Sequence, residues 1–348
     1  MKKLIKILAA IFGLCAVVVG YYAFNWYTDN KRPNFGKDTV IYVRPGTPVN
    51  EVFDMIVDSA RVKSARSLTR VFSQKQVADY MKPGRYVIKP SHSSVYVARM
   101  LNNGWQTPMN LVLSGTLRTN GGIAKKISAQ MMVDSTSIAN ALEDSAFLAQ
   151  YGVTPQNVFS LFIPDTYEMY WTASVEDIFA RQKEAYDLYW TPENVRKAEA
   201  QGLTKEQASI VASIVKGETN YEPEMPSIAG VYLNRYHIGM KLQADPTIAY
   251  ILDYKVNRIL KSYLDIDSPY NTYKYAGLPP GPICVPTKAC LDAVLNPDKH
   301  GYLYFCANSN FNGSHKFAVT YSEHLRNARE FQSALNKREA QKRAAQGK

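Results

Sequence analysis

Residues 204–247 read TKEQASIVASIVKGETNYEPEMPSIAGVYLNRYHIGMKLQADPT, and the rest of the chain is organised around this stretch. Thr204 followed by Gln207 forms a capping box, which predicts a helix starting there. Ala208, Val211, Ala212 and Val215 recur at helical spacing as an apolar face, with Lys205, Ser209, Ser213 and Lys216 on the polar one. Glu218 comes four residues after Ile214 and three after Val215, so it lies on or beside the apolar side, and the helix is expected to stop before Pro223. A carboxyl so placed is poorly solvated. Its pKa rises and it stays protonated near neutrality, as a general acid must. The plainer alternative is a carboxylate that turns to the helix end and meets water.

Downstream, Pro226 suits the start of a second helix and Gly239 its C-terminal stop, with Asn234 and Arg235 just before the turn. Gln243, Asp245 and Thr247 sit in a segment broken by Pro246, where side chains can be aimed into a cleft. Tyr270, Asn271, Thr272 and Tyr273 lead into GLPPGPI at 277–283, whose three prolines and two glycines predict a stiff loop framing that cleft. Amides and hydroxyls are what a sugar site needs. Each residue taken alone serves a turn or a cap equally well.

The strings ASIV-x-x-ET (212–219), AGVYLNR (229–235), GM-x-LQADPT (239–247), SPYNTYKYAGLPPGPI (268–283) and YLYFCA (302–307) together resemble the YceG-like family, the endolytic murein transglycosylases. The likeness covers nearly the whole chain and rests on long strings of low degeneracy. It implies that Glu218, the glutamate of the ET pair, is the catalytic acid. It also favours Asn234, Arg235, Gln243, Asp245, Thr247, Tyr270, Asn271 and Thr272 as substrate contacts. One departure is visible: Lys216 stands where the family usually has an acidic residue, on the expected polar face. NGSHKFAVT (312–320) is similar to the family as well, and His315 in it is open to an assisting or a structural role.

The chain has 348 residues, enough for two or three folded units. Its net charge of +11 is concentrated at the ends, in Lys2, Lys3 and Lys6 and in the tail from Asn336, and the remainder is too weakly basic to argue for nucleic acid. Ile7 to Tyr27 carries no charge and is long enough to cross a bilayer as a helix. Lys2, Lys3 and Lys6 predict a cytoplasmic N-terminus, with Tyr21, Tyr22, Trp26 and Tyr27 at the far interface. Lys31 and Arg32 beyond the span weaken that asymmetry. A cleaved signal peptide is the rival reading, but no small-x-small cleavage site precedes the tyrosines. Cys15 reads as lipid-facing, since FGL before it lacks the small residue of a lipoprotein site.

The expected fold class is α+β, with one N-terminal transmembrane helix, a small LysM-like lobe and a mixed helical catalytic domain. The expected division is a cytoplasmic N-terminus at 1–6, a span at 7–27, a linker at 28–37, the lobe at 38–108, a helical middle at 109–202, the catalytic unit at 203–335 and a fraying basic tail at 336–348. In the lobe, Thr39 to Val43 reads as a strand, and Val49, Val52, Phe53 and Ile56 as one helix face. KPGRYVI (82–88) reads as turn and strand, and Ser94 to Leu101 as a second helix. The resemblance gives this lobe a glycan-holding role, and by pattern alone it is equally a packing domain. In LFIPDTYEMYW (161–171), Tyr167, Tyr170 and Trp171 read as core.

Other chemistries find little support. Cys284, Cys290 and Cys306 lack zinc-ligand spacing, and neither a phosphate-binding glycine loop nor a Gly-x-Ser-x-Gly elbow is present. No cofactor is called for. The resemblance implies non-hydrolytic cleavage of MurNAc–GlcNAc bonds within peptidoglycan strands, with those strands, the membrane and peptidoglycan synthases as partners. Two alternatives stand beside it. A glycoside hydrolase needs a second carboxylate, roughly 5–5.5 or 6.5–9.5 Å away, for which Asp245, Glu222 and Glu168 are candidates. A silent glycan-binding scaffold needs no acid at all.

Overall fold

The computed structural model describes residues 1–256 and 258–346. The chain gathers into two compact units, the first made of Met1–Leu111, Gln130–Met132 and Glu168–Ala173 and the second of the remainder. The architecture is mixed α and β with helix dominant, and among the described residues the strands pair into three two-stranded sheets.

The first unit opens with α1 (Lys2–Asn30), whose most apolar window has a mean hydropathy of 2.3 and contributes no buried surface. Strand β1 (Thr39–Val43) follows, then α2 (Val49–Ala60), α3 (Ala65–Gln74), the single turn α4 (Val77–Tyr80), β2 (Gly84–Ile88) and α5 (Ser94–Asn103). β1 and β2 are antiparallel, Thr39 opposite Ile88 and Val43 opposite Gly84. Thr39, Ile41 and Val43 point inward while Val40 and Tyr42 face out, the period of two that the sequence carries. The core beneath joins Ile41, Val43, Val52, Ile56, Leu68, Val71, Tyr86, Val97 and Leu101. Gly104, left-handed at φ 67°, ends α5 two residues beyond the expected boundary.

Asp29 fixes the end of α1 to this unit. It is buried, takes a two-pronged pair from Arg70 at 2.6 and 2.7 Å, and accepts from the Ser67 hydroxyl at 2.6 Å. The cytoplasmic or lumenal sense of α1 plays no part in that joint. These bonds tie the start of the expected polar linker, 28–37, to the body of this unit.

Strand β3 (Met109–Val112) carries the chain into the second unit, followed by α6 (Asn120–Ser128), α7 (Ser135–Ala141), α8 (Ser145–Ala149) and β4 (Thr166–Met169). Then come α9 (Val175–Tyr189), α10 (Pro192–Ala200), α11 (Lys205–Glu218), α12 (Met225–His237), α13 (Asp245–Ile251), α14 (Lys288–Leu295), β5 (Tyr304–Ala307), β6 (His315–Ala318) and α15 (Tyr321–Gln346). The periodic Phe147, Leu148 and Tyr151 pack on α9, with the Phe147 and Tyr151 rings 5.0 and 5.6 Å from Phe179. Tyr167 and Trp171 are core as expected, but Tyr170, just past the end of β4, is 53% exposed.

The helix that the sequence centred on is the centre of this unit. Both capping-box bonds of α11 form, Thr204 N–H to Gln207 at 2.9 Å and Gln207 N–H to Thr204 at 3.2 Å. The supposed polar face is corrected in part. Ser209 and Ser213 are buried, their hydroxyls satisfied by the carbonyls of Lys205 and Ile210, and Ser213 also accepts from Ile283 N–H. Small hydroxyls bonded to their own helix can be covered cheaply, so α11 is wrapped on nearly all sides. α15 continues through Gln346, as expected of a run rich in Ala, Lys, Arg, Glu and Gln, while Gly347 and Lys348 lie outside the described residues.

Candidate active site

Glu218 is the last residue of α11, and Thr219 beyond it is extended. The chain turns through a short 3₁₀ segment, Glu222–Glu224, and returns as α12. This return brings Tyr232 against Glu218: the phenol donates to Oε1 at 2.5 Å. Burial pushes the Glu218 carboxyl up to about 7, with the charge of Asp245 adding to the rise, while the Tyr232 bond and Arg235 pull the other way. The same burial raises the Tyr232 phenol well above its ordinary value, so it is a neutral donor.

A cavity of about 360 Å³ opens beside this carboxyl, bordered by Arg235, Gln243, Asp245, Tyr273, Tyr304, Phe305, Tyr321 and His324 as well as by Tyr232. Arg235 is buried and fixed by the carbonyls of Leu303 and Leu242, each at 2.6 Å, with its guanidinium over the Tyr304 ring. Its charge therefore stays on one wall of the cavity. Asp245 begins α13 and accepts from the Tyr273 phenol at 2.5 Å. Gln243 adopts a left-handed backbone at φ 49°, a strained state for a residue with a side chain, and its N–H is held by Thr272 O at 3.1 Å. Gly217 lets α13 come close. A Cβ there would lie 2.5 Å from Pro246 Cβ, so only glycine allows Asp245 to stand beside Glu218.

Of the residues singled out in the sequence, Arg235, Gln243 and Asp245 thus share one cavity with Glu218. The others are placed differently. Asn234 gives its amide to the carbonyls of His300 and Tyr302. Thr247 and Thr272 are buried and bond each other at 2.9 Å, Thr247 also bonding Ala244 O. Asn271 is fully buried, donating to Leu264 O and Ile266 O and accepting from Tyr273 N–H. These four hold the loops in shape. Tyr270 borders a separate cavity of about 470 Å³ and packs on Tyr250 at 4.6 Å.

His315 is taken up by Glu224, which accepts from its N–H and meets its Nδ1 at 2.9 Å, a bond tying β6 to the turn before α12. Lys216 reaches Asn220 at 2.6 Å. Of the candidate second carboxylates, Asp245 borders the cavity, Glu222 lies in the turn after Glu218, and Glu168 belongs to the first unit. Tyr232, Tyr304, Phe305, Tyr321 and His324 are site residues that were not singled out. Tyr232 lay inside AGVYLNR, and Tyr304 and Phe305 inside YLYFCA, so the signal was present as string but not as geometry. All four cysteines are free thiols, with Cys284 and Cys290 buried.

The profile of the YceG-like family matches residues 41–330. An endolytic murein transglycosylase of Bacillus subtilis strain 168 is 41% identical over 128 residues, covering 37% of this chain and 35% of its own length. One of Streptococcus pneumoniae D39 is 25% identical over 344 residues, covering 89% of this chain and 62% of its own. The chain thus spans less than two thirds of the length of these curated relatives. The crystal structure of a YceG-like protein from Listeria monocytogenes superposes with a TM-score of 0.56 at 25% identity, covering 83% of this chain and 98% of that one.

Proposed function

The chain belongs to the YceG-like family, and from that premise we propose that it is a membrane-anchored lytic transglycosylase cutting MurNAc–GlcNAc bonds within peptidoglycan strands. One observation carries the reading: a carboxyl with its pKa near 7, hydrogen-bonded on one oxygen by a neutral phenol, borders a cleft lined by aromatic rings and an arginine. Near neutrality such a group is present in both protonation states. Glu218 gives its proton to the glycosidic oxygen as the bond to MurNAc C1 breaks. The carboxylate, steadied by Tyr232 and Arg235, then takes the proton of the C6 hydroxyl of the same sugar. That oxygen attacks C1 and closes a 1,6-anhydro ring, so one carboxyl serves as acid and then base and no activated water enters. Gln243, Asp245 and Tyr273 present the polar atoms that would hold the sugar, and Tyr304 and Phe305 the flat faces.

Product analysis tests this. Strands digested in ¹⁸O-labelled water should yield fragments of unhydrated mass with anhydro-MurNAc ends and no label at C1. Labelled reducing ends would give the case to hydrolysis, the second reading, which Asp245 on the same cavity supports. Glu218→Gln should lose cleavage by about 10²–10⁴-fold while staying folded.

The lobe near 38–108 is read as LysM-like and glycan-holding. Exposed Tyr96 and Trp105, with rings 5.9 Å apart and the His92 ring tilted against Tyr96 at 4.2 Å, offer a row of sugar-sized faces. The full chain should co-sediment with purified sacculi and lose that affinity in Tyr96→Ala/Trp105→Ala. α1 is read as an uncleaved anchor with its N-terminus in the cytoplasm and the body outside, next to peptidoglycan synthases. Protease added to spheroplasts should digest the body, and full protection would reverse the topology.

A further inference from the structure

The first unit carries a cavity of its own, of about 410 Å³, at the end of α1 and remote in sequence from the Glu218 region. Its lining includes Tyr21 and Phe24 from α1, Arg32 just past it, and Lys63, Arg66 and Arg70, with Asn25, Thr28, Asn34 and Ser64 among them. Arg70 is committed to Asp29, which cancels its charge. Arg32, Lys63 and Arg66 pair with no carboxylate among the described residues, and Lys63 Nζ reaches only the carbonyl of Pro33 at 3.4 Å. Three uncompensated cations therefore converge on one recess, and Arg32 and Arg66 are solvent-exposed.

Its position in depth decides what it could hold. The uncharged run Ile7–Tyr27 spans about 30 Å as a helix, one hydrocarbon thickness. Tyr21 and Phe24 then lie in the last two turns of that run, and Arg32 lies just past its end, toward the level of the phosphates. The Asp29–Arg70–Ser67 joint keeps the α1 and α3 walls in register. An apolar lower rim and a cationic upper wall at that level match a lipid whose phosphate is anionic.

We propose that this cavity is a binding site for the phosphate of an anionic membrane phospholipid, seated against Arg32, Lys63 and Arg66 with its glycerol and first methylenes along Tyr21 and Phe24. The inference rests on α1 being a membrane span. It also gives Arg32 a purpose, since a basic residue just past a span is otherwise unhelpful to the expected orientation.

The full chain, purified in mild detergent, would be tested by native mass spectrometry and thermal unfolding. The probes are phosphatidylglycerol, phosphatidylcholine and, separately, sn-glycerol 1-phosphate. A one-to-one phosphatidylglycerol adduct that outcompetes phosphatidylcholine is expected. Each of Arg32→Ala and Arg66→Ala should weaken it about fivefold, the worth of one cation near an anionic surface. Lys31→Ala removes a charge from the same turn without touching the cavity and should leave the adduct unchanged. A loss equal to that of Arg32→Ala would mean diffuse attraction, and equal retention of both lipids would mean no site; either overturns the proposal. Tight binding of glycerol phosphate alone would replace the lipid by a soluble anion. Partition into neutral vesicles is read in parallel. Failure there removes the anchor itself, whereas partition without lipid selectivity removes only the site.

Discussion

Gly217 and Pro246 are in such close contact that a single added methyl group would close to 2.5 Å on the proline ring. This places α13 against the end of α11 and sets Asp245 beside the Glu218 carboxyl, whose pKa its charge helps to raise. Gly217→Ala opposes two effects. Alanine favours a helix by about 1 kcal/mol, whereas overpacking costs about 1–3 kcal/mol. The clash should win, lowering Tm and reducing cleavage by more than the lost stability accounts for. A variant with raised Tm and full activity would show that the two helices have room to spare.

Glu218 should also be a liability to the fold. Its folded-state pKa is raised from 4.5 to about 7, so between these values the native state holds a proton that the unfolded state has released. Stability from this group is then complete below pH 4.5 and is lost as pH rises toward 7. Glu218→Gln keeps the shape and an acceptor for Tyr232 but cannot ionise. Relative to the native chain it should be nearly neutral at pH 4 and more stable by on the order of 3 kcal/mol at pH 8. Denaturant unfolding at the two pH values measures this, and equal differences at both would mean that the carboxyl is ordinarily solvated.

Much of this site was legible because local signals and periodicity agree along α11. The capping box fixes its start, and spacing against Ile214 and Val215 sets Glu218 beside the apolar side, while its role as acid comes from the family resemblance. What periodicity reports is which face a residue occupies, never what covers that face. Ser213 therefore read as surface, although Ile283 N–H bonds to it from seventy residues away. The same limit explains Asn271 and Thr272: an amide in a proline-broken loop is equally able to meet a sugar or a backbone, and only the fold shows Asn271 closed on Leu264 and Ile266. Tyr232 was invisible as a partner because its link to Glu218 crosses a helical hairpin.

Tyr232→Phe should shift the pH dependence. The phenol bond favours the carboxylate, so its loss raises the Glu218 pKa further. In the proposed mechanism cleavage begins from the protonated acid, so the falling alkaline limb should move up by about 1–2 pH units, the worth of a hydrogen bond to a charged group. The base half of the cycle loses its support, and the maximal rate should drop as well. A pH–rate profile of unchanged midpoint would mean that the bond is not made in the working enzyme.

Asp245 separates the two mechanisms that its position leaves open. In a two-carboxylate hydrolase it is nucleophile or base, and Asp245→Asn would cost about 10²–10⁴-fold at every pH, as the loss of a catalytic base does. In the one-carboxylate mechanism it acts on Glu218 through its charge and on the site through Tyr273, whose bond asparagine can still accept. Removing a negative neighbour makes ionisation of Glu218 easier and lowers its pKa. The alkaline limb should then move down, opposite in sign to Tyr232→Phe, with cleavage at low pH reduced only modestly. Tyr273→Phe provides a control, since it frees Asp245 without removing its charge and should not reproduce the downward shift. A uniform collapse of rate in Asp245→Asn, with reducing ends among any remaining products, would transfer catalysis from Glu218 alone to the pair.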